Sequence, residues 1–299
     1  MYKRLLAALL ALLLCCMISL AEDAAAPEMP VLIDRINAPE INADFAFAQD
    51  APLFEVICPQ VLNCDAILLR CGGETMLVDA GTLGQAKRTI DMCRQLGITR
   101  IDRVINTHPH EDHIGGFRDI LKEVEIGELW ICFPEDYNEH MKKAMLYAQR
   151  ANIPVRHYTD GDILTLGGAT VEVWKLEGKK TELNDCSAQF YITYGERTML
   201  MAADLEGPGQ SKFVELKGEK LKADILKYPH HGIEKLRDVY MEAVAPKFMF
   251  VTNNLNENAG RKYIRNCGVP SGYTVPGFLY LATDGQTWVA DRIPSEIKY

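Results

Sequence analysis

Three of the seven histidines fall within six residues, in Thr107-His108-Pro109-His110-Glu111-Asp112-His113-Ile114-Gly115-Gly116. The pattern H-x-H-x-D-H directly follows the strand-like run Ile101-Asp102-Arg103-Val104-Ile105-Asn106. In an extended segment alternate side chains share a face, so His108 and His110 point the same way. Asp112 and His113 come where the chain must turn before Phe117 to Leu121, and Gly115 and Gly116 are expected to permit that turn. Imidazole and carboxylate at this density suit zinc or a similar divalent metal, whereas an isolated histidine would read as a solvated loop residue.

A metal site draws ligands from several segments, and two further strand ends carry suitable ones. Met199-Leu200-Met201-Ala202-Ala203-Asp204 is an apolar run ending in an acid. A carboxylate there is costly unless paired or metal-bound. Ala223-Asp224-Ile225-Leu226-Lys227-Tyr228-Pro229 leads into His230-His231-Gly232. Thr75 to Val78 is another strand that ends on an acid, Asp79, followed by Ala80-Gly81.

Around these ends the chain reads as strands with interspersed helices in both halves. Strands are expected at 53–58, 66–70, 75–78, 101–106, 129–133, 155–158, 162–166, 171–174, 188–193 and 198–202, and helices over 84–97, 117–124 and within 134–151. Gly97 is the expected stop of the first helix. The simplest organisation is one domain over 51–295, preceded by a linker over 22–50 rich in Ala, Glu, Asp and Pro.

Residues 1–21 read as a signal peptide: Lys3 and Arg4, an apolar run from Leu5 to Leu20, then Ser19-Leu20-Ala21 before Glu22. The run is short for a membrane span of ~20 residues, so a secreted or cell-surface protein is expected, with an uncleaved N-terminal anchor as the lesser alternative. No stable membrane insertion is expected after cleavage. The formal charge is -9 over 299 residues, and cleavage after Ala21 removes two cations and no acid. Such a surface repels polyanions and argues against a grip on long nucleic acid. Beyond Cys15 and Cys16 the cysteines are scattered and embedded in apolar runs, which favours buried thiols over a disulfide framework.

Together the motifs resemble those of the metallo-β-lactamase superfamily, most closely the secreted hydrolase domain of DNA-uptake competence proteins. Leu77-Val78-Asp79-Ala80-Gly81 matches the first motif, His108, His110, Asp112 and His113 the second, Asp204 the fourth, and His230-His231-Gly232 the fifth. The Asn184-Asp185-Cys186-Ser187 stretch and Ala282-Thr283-Asp284-Gly285 are similar to the competence subgroup. The resemblance implies an α/β (α+β) fold, a four-layer αββα sandwich, with two divalent ions, zinc first and manganese as the alternative. His108 and His110 would hold one ion. Asp112, His113 and one of His230 or His231 would hold the other, with His230 preferred because it comes first after the strand. Asp204 would bridge them and Asp79 would orient ligands from outside. A hydroxide between the metals would be the nucleophile, with Asp112 orienting it. Lys227 is expected to contact an anionic substrate.

Where the superfamily has a third-motif histidine, this chain has Asn184, Asp185 and Cys186; Ile233 and Leu255-Asn256-Glu257 also depart from its relatives. The expected function is a secreted phosphodiesterase or phosphoesterase acting on a small or cell-envelope phosphoester. The alternatives are hydrolysis of a lactone or another carbonyl substrate, and a binding module with an altered site. The sequence leaves the oligomeric state open.

Overall fold

Alternation along the strands divides the apolar residues between two faces, and both faces are covered. In β1 (Phe54–Cys58), Ile57 packs toward helices while Phe54, Val56 and Cys58 face the other way. β2 (Ile67–Cys71) and β3 (Glu74–Val78) repeat the split: Leu68 and Leu77 on the helix side, Ile67, Leu69, Met76 and Val78 opposite. A period of two with both faces apolar requires a sheet buried between layers.

The computed structural model describes Phe47 and residues 51–178, 182–254 and 258–297. The expected signal peptide lies outside the described residues, as does the expected linker apart from Phe47. The described residues all belong to the unit Leu32–Tyr299.

One sheet has eight strands in the order β15-β14-β1-β2-β3-β4-β5-β6, with β4 at Arg100–Asn106, β5 at Glu125–Ile131, β6 at Val155–His157, β14 at Phe278–Thr283 and β15 at Trp288–Ile293. The other has seven in the order β13-β12-β11-β10-β9-β8-β7. These are β7 (Ile163–Leu166), β8 (Ala169–Trp174), β9 (Gln189–Tyr194), β10 (Arg197–Met201), β11 (Ile225–Lys227), β12 (Phe248–Val251) and β13 (Ser271–Tyr273). Phe190, Ile192, Phe248 and Phe250 meet Val56, Leu69 and Leu281 between the sheets. Outside the first sheet, Ile90, Phe117, Ile120 and Met141 come from α1 (Ala86–Gln95), α3 (Phe117–Glu123) and α4 (Glu139–Arg150). Outside the second, Phe213, Tyr240 and Ile264 come from α5 (Gly207–Lys217), α6 (Asp238–Val244) and α7 (Ala259–Asn266). The result is the expected four-layer αββα sandwich.

β3 to β6 run parallel, and so do β10 to β13. Parallel strands deliver their carboxyl ends to one edge, where binding sites of α/β sheets gather. Asp79 follows β3, the histidine-rich loop follows β4, Asp204 follows β10 and His230-His231 follow β11. β2 is antiparallel to β3, with Ile67 opposite Val78, so its amino end lies at that same edge and brings Asp65 with it.

The helices match expectation within a few residues, and Gly97 terminates α1 with φ 67°. Strand β5 begins at Glu125, earlier than its apolar core indicates, because its exposed first residue still pairs with Arg100. The Asp112-His113 turn is a short helix, α2 (Glu111–Ile114). Gly115 and Gly116 do not supply a left-handed bend, having φ of -62° and -74°. Gly116 is needed for close approach: a Cβ there would lie 2.1 Å from the Ala80 carbonyl oxygen. All seven cysteines among the described residues are free thiols.

Candidate metal centre

Asp79 organises the loop after β4. It sits in the left-handed region (φ 59°), uncommon for a residue with a Cβ, and its side chain is fully buried. Its Oδ1 accepts from Asn106 Nδ2 at 2.9 Å and from Thr107 N at 2.8 Å. Its Oδ2 accepts from the Thr107 hydroxyl at 2.7 Å and lies 2.7 Å from His113 Nδ1. Burial pushes this carboxyl up from its ordinary range, and His113 pulls it back. From the outer side, Asn138 caps α4 by accepting from Met141 N, and donates to the Pro109 carbonyl at 2.7 Å.

Asp204 is held from the second sheet. Its backbone N–H donates to Ser187 Oγ at 3.2 Å, and that of Ala203 donates to Gln189 Oε1 at 2.8 Å. Four imidazoles turn toward its Oδ2: His113 Nε2 at 3.0 Å, His231 Nε2 at 3.5 Å, His108 Nε2 at 3.8 Å and His230 Nε2 at 3.9 Å. His110 Nδ1 is 2.9 Å from His108 Nε2, and Asp112 Oδ2 is 3.4 Å from His231 Nε2. Donors around a tetrahedral ion with ~2.1 Å bonds stand roughly 3.4 Å apart, close to these spacings.

Two ligand sets share Asp204. In one, ligand atoms of Asp65, His113, Asp204 and His231 lie within 4.8 Å of one another; in the other, those of His108, His110 and Asp204 do. Among the described residues, the buried Asp204 Oδ1 and His231 Nε2 have no hydrogen-bond partner. Burying such an atom unsatisfied costs about 1–3 kcal/mol, so their orphaning fits a site shaped for a cation. Burial alone would discharge His113, but Asp204 and Asp79 outweigh it and hold its pKa well above the usual range. His231 is likewise raised against burial, by Asp204 and Asp65. Burial, then the nearby His113, pushes His108 well below. Burial disfavours the Asp204 carboxylate, yet His113 and His231 hold it well below its ordinary range. Asp112 is brought to about 2 by His231 and His113 against its own desolvation.

The expected residues meet here with instructive differences. His230 and His231 both adopt left-handed backbone, φ 49° and 51°, which turns both rings inward. His231, buried, joins the His113 set, while His230 is partly exposed, its Nδ1 3.7 Å from Glu206 Oε1. Order along the chain favoured His230, and the geometry favours His231 for that set. Lys227 does not reach the cleft. Its side chain is 1% exposed, ion-paired with Asp65 and donating to the Ala203 carbonyl at 3.1 Å. A lysine on a buried three-residue strand has its ammonium beneath the site, where it neutralises a carboxylate and cannot meet substrate. Asn184 donates to Glu206 Oε1 and Asp185 Oδ1 accepts from Glu206 N, so both brace the segment after Asp204. Asp65 is not among the expected site residues, since an acid after Asn63-Cys64 resembles a turn residue; the signal is its position directly before the apolar run Ala66-Ile67-Leu68-Leu69.

A family model of the metallo-beta-lactamase superfamily matches residues 59–238. ComE operon protein 3 of Bacillus subtilis is 25% identical over 164 residues, 54% of this chain and 21% of that protein. Competence protein ComA of Neisseria gonorrhoeae is 26% identical over 186 residues, 61% of this chain and 24% of that one. The chain thus spans under a quarter of the curated relatives it matches. Among solved structures, the metallo-beta-lactamase fold protein YhfI from Bacillus subtilis superposes with TM-score 0.50 at 15% identity, covering 74% of this chain and 96% of that one. CmlA, a diiron beta-hydroxylase from Streptomyces venezuelae, also gives 0.50 at 14% identity, covering 80% and 55%. At these identities the likeness is one of fold.

Proposed function

This chain belongs to the metallo-β-lactamase superfamily and is a metal-dependent hydrolase, and from its site we propose that it is an exported phosphoesterase acting on small anionic substrates through two divalent ions, zinc first and manganese as the alternative. The observation that carries the hydrolytic reading is the convergence of imidazoles on Asp204 Oδ2, with Asp204 Oδ1 and His231 Nε2 left unpartnered. His108, His110 and Asp204 would hold one ion, and His113, His231, Asp112 and Asp204 the other. Divalent ions there supply Lewis acidity and bring water's pKa toward about 7. The chain's own residues do the rest. Asp112, 33% exposed and kept ionised, faces the open side, where it orients and deprotonates the attacking water. His230, partly exposed, brings Nε2 to 3.9 Å from Asp204 Oδ2.

The size of the substrate is supported by a cavity of about 560 Å³ lined by Phe133, Tyr137, Lys175 and two cysteines, together with the acids Asp136 and Glu177. Its wall is tied to the histidine loop, because Cys132 Sγ donates to the Thr107 carbonyl at 3.3 Å. Phe133 and Tyr137 pack edge to face, and the Lys175 ammonium lies over the Phe133 ring at 4.9 Å. Lys175 pairs with Glu177 at 3.3 Å, so this lining suits the ring or apolar part of a small phosphoester, and the net charge of -9 disfavours a long polyanion. Likeness to competence proteins supports an extracellular setting.

The test is a panel of bis-aryl phosphodiester, aryl phosphomonoester, nucleotide and lactone substrates with the metal-loaded protein. Phosphoester turnover that disappears on chelation is expected. Turnover of lactones alone would establish the carbonyl alternative. No turnover with metal fully bound would leave a binding module.

A further inference from the structure

Lys227 and Asp65 form a buried ion pair that no step above uses. Asp65 Oδ2 pairs with Lys227, while Oδ1 accepts from Thr252 Oγ1 at 2.6 Å and lies 3.1 Å from His231 Nδ1, a nitrogen that Thr252 Oγ1 also approaches at 3.0 Å. Both carboxylate oxygens are therefore engaged away from Asp204. Lys227 Nζ also donates to the carbonyl of Ala203, the residue before Asp204, and so joins the ends of β10 and β11 to Asp65. Stripping one partner from a buried pair leaves an uncompensated charge, so the three groups hold each other in place.

We propose that Asp65 is a positioning residue which, clamped by Lys227, fixes His231 with Nε2 facing Asp204 and thereby makes the His113/His231 half the first to take a metal ion. The proposal rests on the metal-dependent reading above. Once an ion displaces the proton on Nε2, the proton kept on Nδ1 and directed at Asp65 leaves the Nε2 lone pair for the metal; Nε2 stands 3.5 Å from Asp204 Oδ2 and 3.4 Å from Asp112 Oδ2. Asp79 does the same for His113 from the first sheet, at 2.7 Å from Nδ1. Ligating histidines are commonly backed by a carboxylate on the other nitrogen, which sets the tautomer and raises basicity. His108 has a weaker backing, the Thr107 hydroxyl at 3.1 Å from Nδ1. The two carboxylate-backed rings are thus preorganised before any ion arrives.

The experiment is a cobalt(II) titration of metal-stripped full-length protein, followed by ligand-field absorption and by metal content, beside ring nitrogen-15 spectra of the histidines. The wild type should take two equivalents, the first more tightly, with His231 protonated on Nδ1. Asp65→Asn should weaken the first equivalent about 10–100-fold, mix the His231 tautomers, and still reach two equivalents at saturation. Thr252→Val keeps both charges, removes one donor to Asp65 and the hydroxyl beside His231 Nδ1, and leaves Asp65 as the partner of that nitrogen, so it should shift the first equivalent the same way by less, and it serves where Asp65→Asn does not fold. A saturating stoichiometry reduced to one would make Asp65 a direct ligand and overturn the proposal. Unchanged affinity with an unchanged tautomer would overturn it too. Turnover is not the readout, so failure here leaves the phosphoesterase reading standing, whereas a wild type that binds no cobalt overturns both.

Discussion

His113 and His231 approach Asp204 from fully buried positions, each with Nδ1 against a buried carboxylate. His108 and His110 approach the same oxygen differently. His108 leans on a hydroxyl, His110 leans on His108, and His110 is partly open to solvent. One half is a rigid socket whose charges are balanced before metal enters; the other depends on the ion to organise it. The contrast follows from the folding pattern. Asp65 and Asp79 flank the β2–β3 hairpin on the first sheet and face the Nδ1 atoms of His231 and His113 directly, whereas His108 meets Asp79 only through the Thr107 hydroxyl. Asn184 and Asp185, which stand where the resemblance placed the third motif, brace Glu206.

The largest expected effect removes the group both halves share. Asp204→Ala should abolish binding of both ions and lower turnover by about 10³-fold or more, the scale seen when a principal electrostatic group is lost. Retention of one tightly bound ion would show that the halves are independent and break the comparison. Next comes a matched pair. His231→Ala should eliminate the tight equivalent and leave weak binding, while His110→Ala should spare the tight equivalent and eliminate the weak one. Metal content after dialysis against graded chelator distinguishes them, and identical losses would refute the asymmetry.

Acidity sharpens the contrast further. In the metal-free protein His113 has a raised pKa, so its contribution to stability is complete below about 6.5, the unfolded value, and fades as pH rises through the folded one. Asp204 has a depressed pKa, so its contribution is present above about 3.9 and is lost as pH falls toward its folded value. His108, held well below its ordinary value, costs stability as pH falls below about 6.5, so the metal-free melting temperature should peak near the upper of those limits. Bound metal replaces the proton on His113 and His231, which should move the peak to higher pH. Thermal melts with and without chelator across pH 4–9 check this; superimposable curves would contradict it.

Much of this was legible along the chain. His108, His110 and His113 lie in one loop, and the strand ends at Asp79, Asp204 and His231 carry residues too costly to bury idly. The layers followed from two-faced apolar strands. Residues joined only by topology were not legible. Asp65 enters because β2 is antiparallel to β3. The choice between His230 and His231 is set by two successive left-handed residues, and propensity does not foresee these. Lys227 lay within the right motif but on a strand buried on both faces, so its charge points into the protein. The sequence expectations do not include the C-terminal strands β14 and β15, although β14 pairs along the whole of β1.

The smallest expected effect falls on the residue that touches both halves. The Thr107 hydroxyl donates to Asp79 Oδ2 at 2.7 Å and lies 3.1 Å from His108 Nδ1 and 3.5 Å from His113 Nδ1. Thr107→Val keeps the shape and removes the hydroxyl, leaving Asp79 with its backbone, Asn106 and His113 partners. Losing one of several donors to a buried carboxylate should cost about 1–3 kcal/mol, near the lower end because three partners remain. At about 2–4 °C per kcal/mol for a chain of this size, the melting temperature should fall by a few degrees. Because His108 loses its backing while His113 keeps Asp79, the second metal equivalent should weaken several-fold and the first should hold. Thr107→Ser should restore both. If Thr107→Val weakened the first equivalent instead, Asp79 would depend on the hydroxyl to support His113, and the socket would be less preorganised than its carboxylates imply.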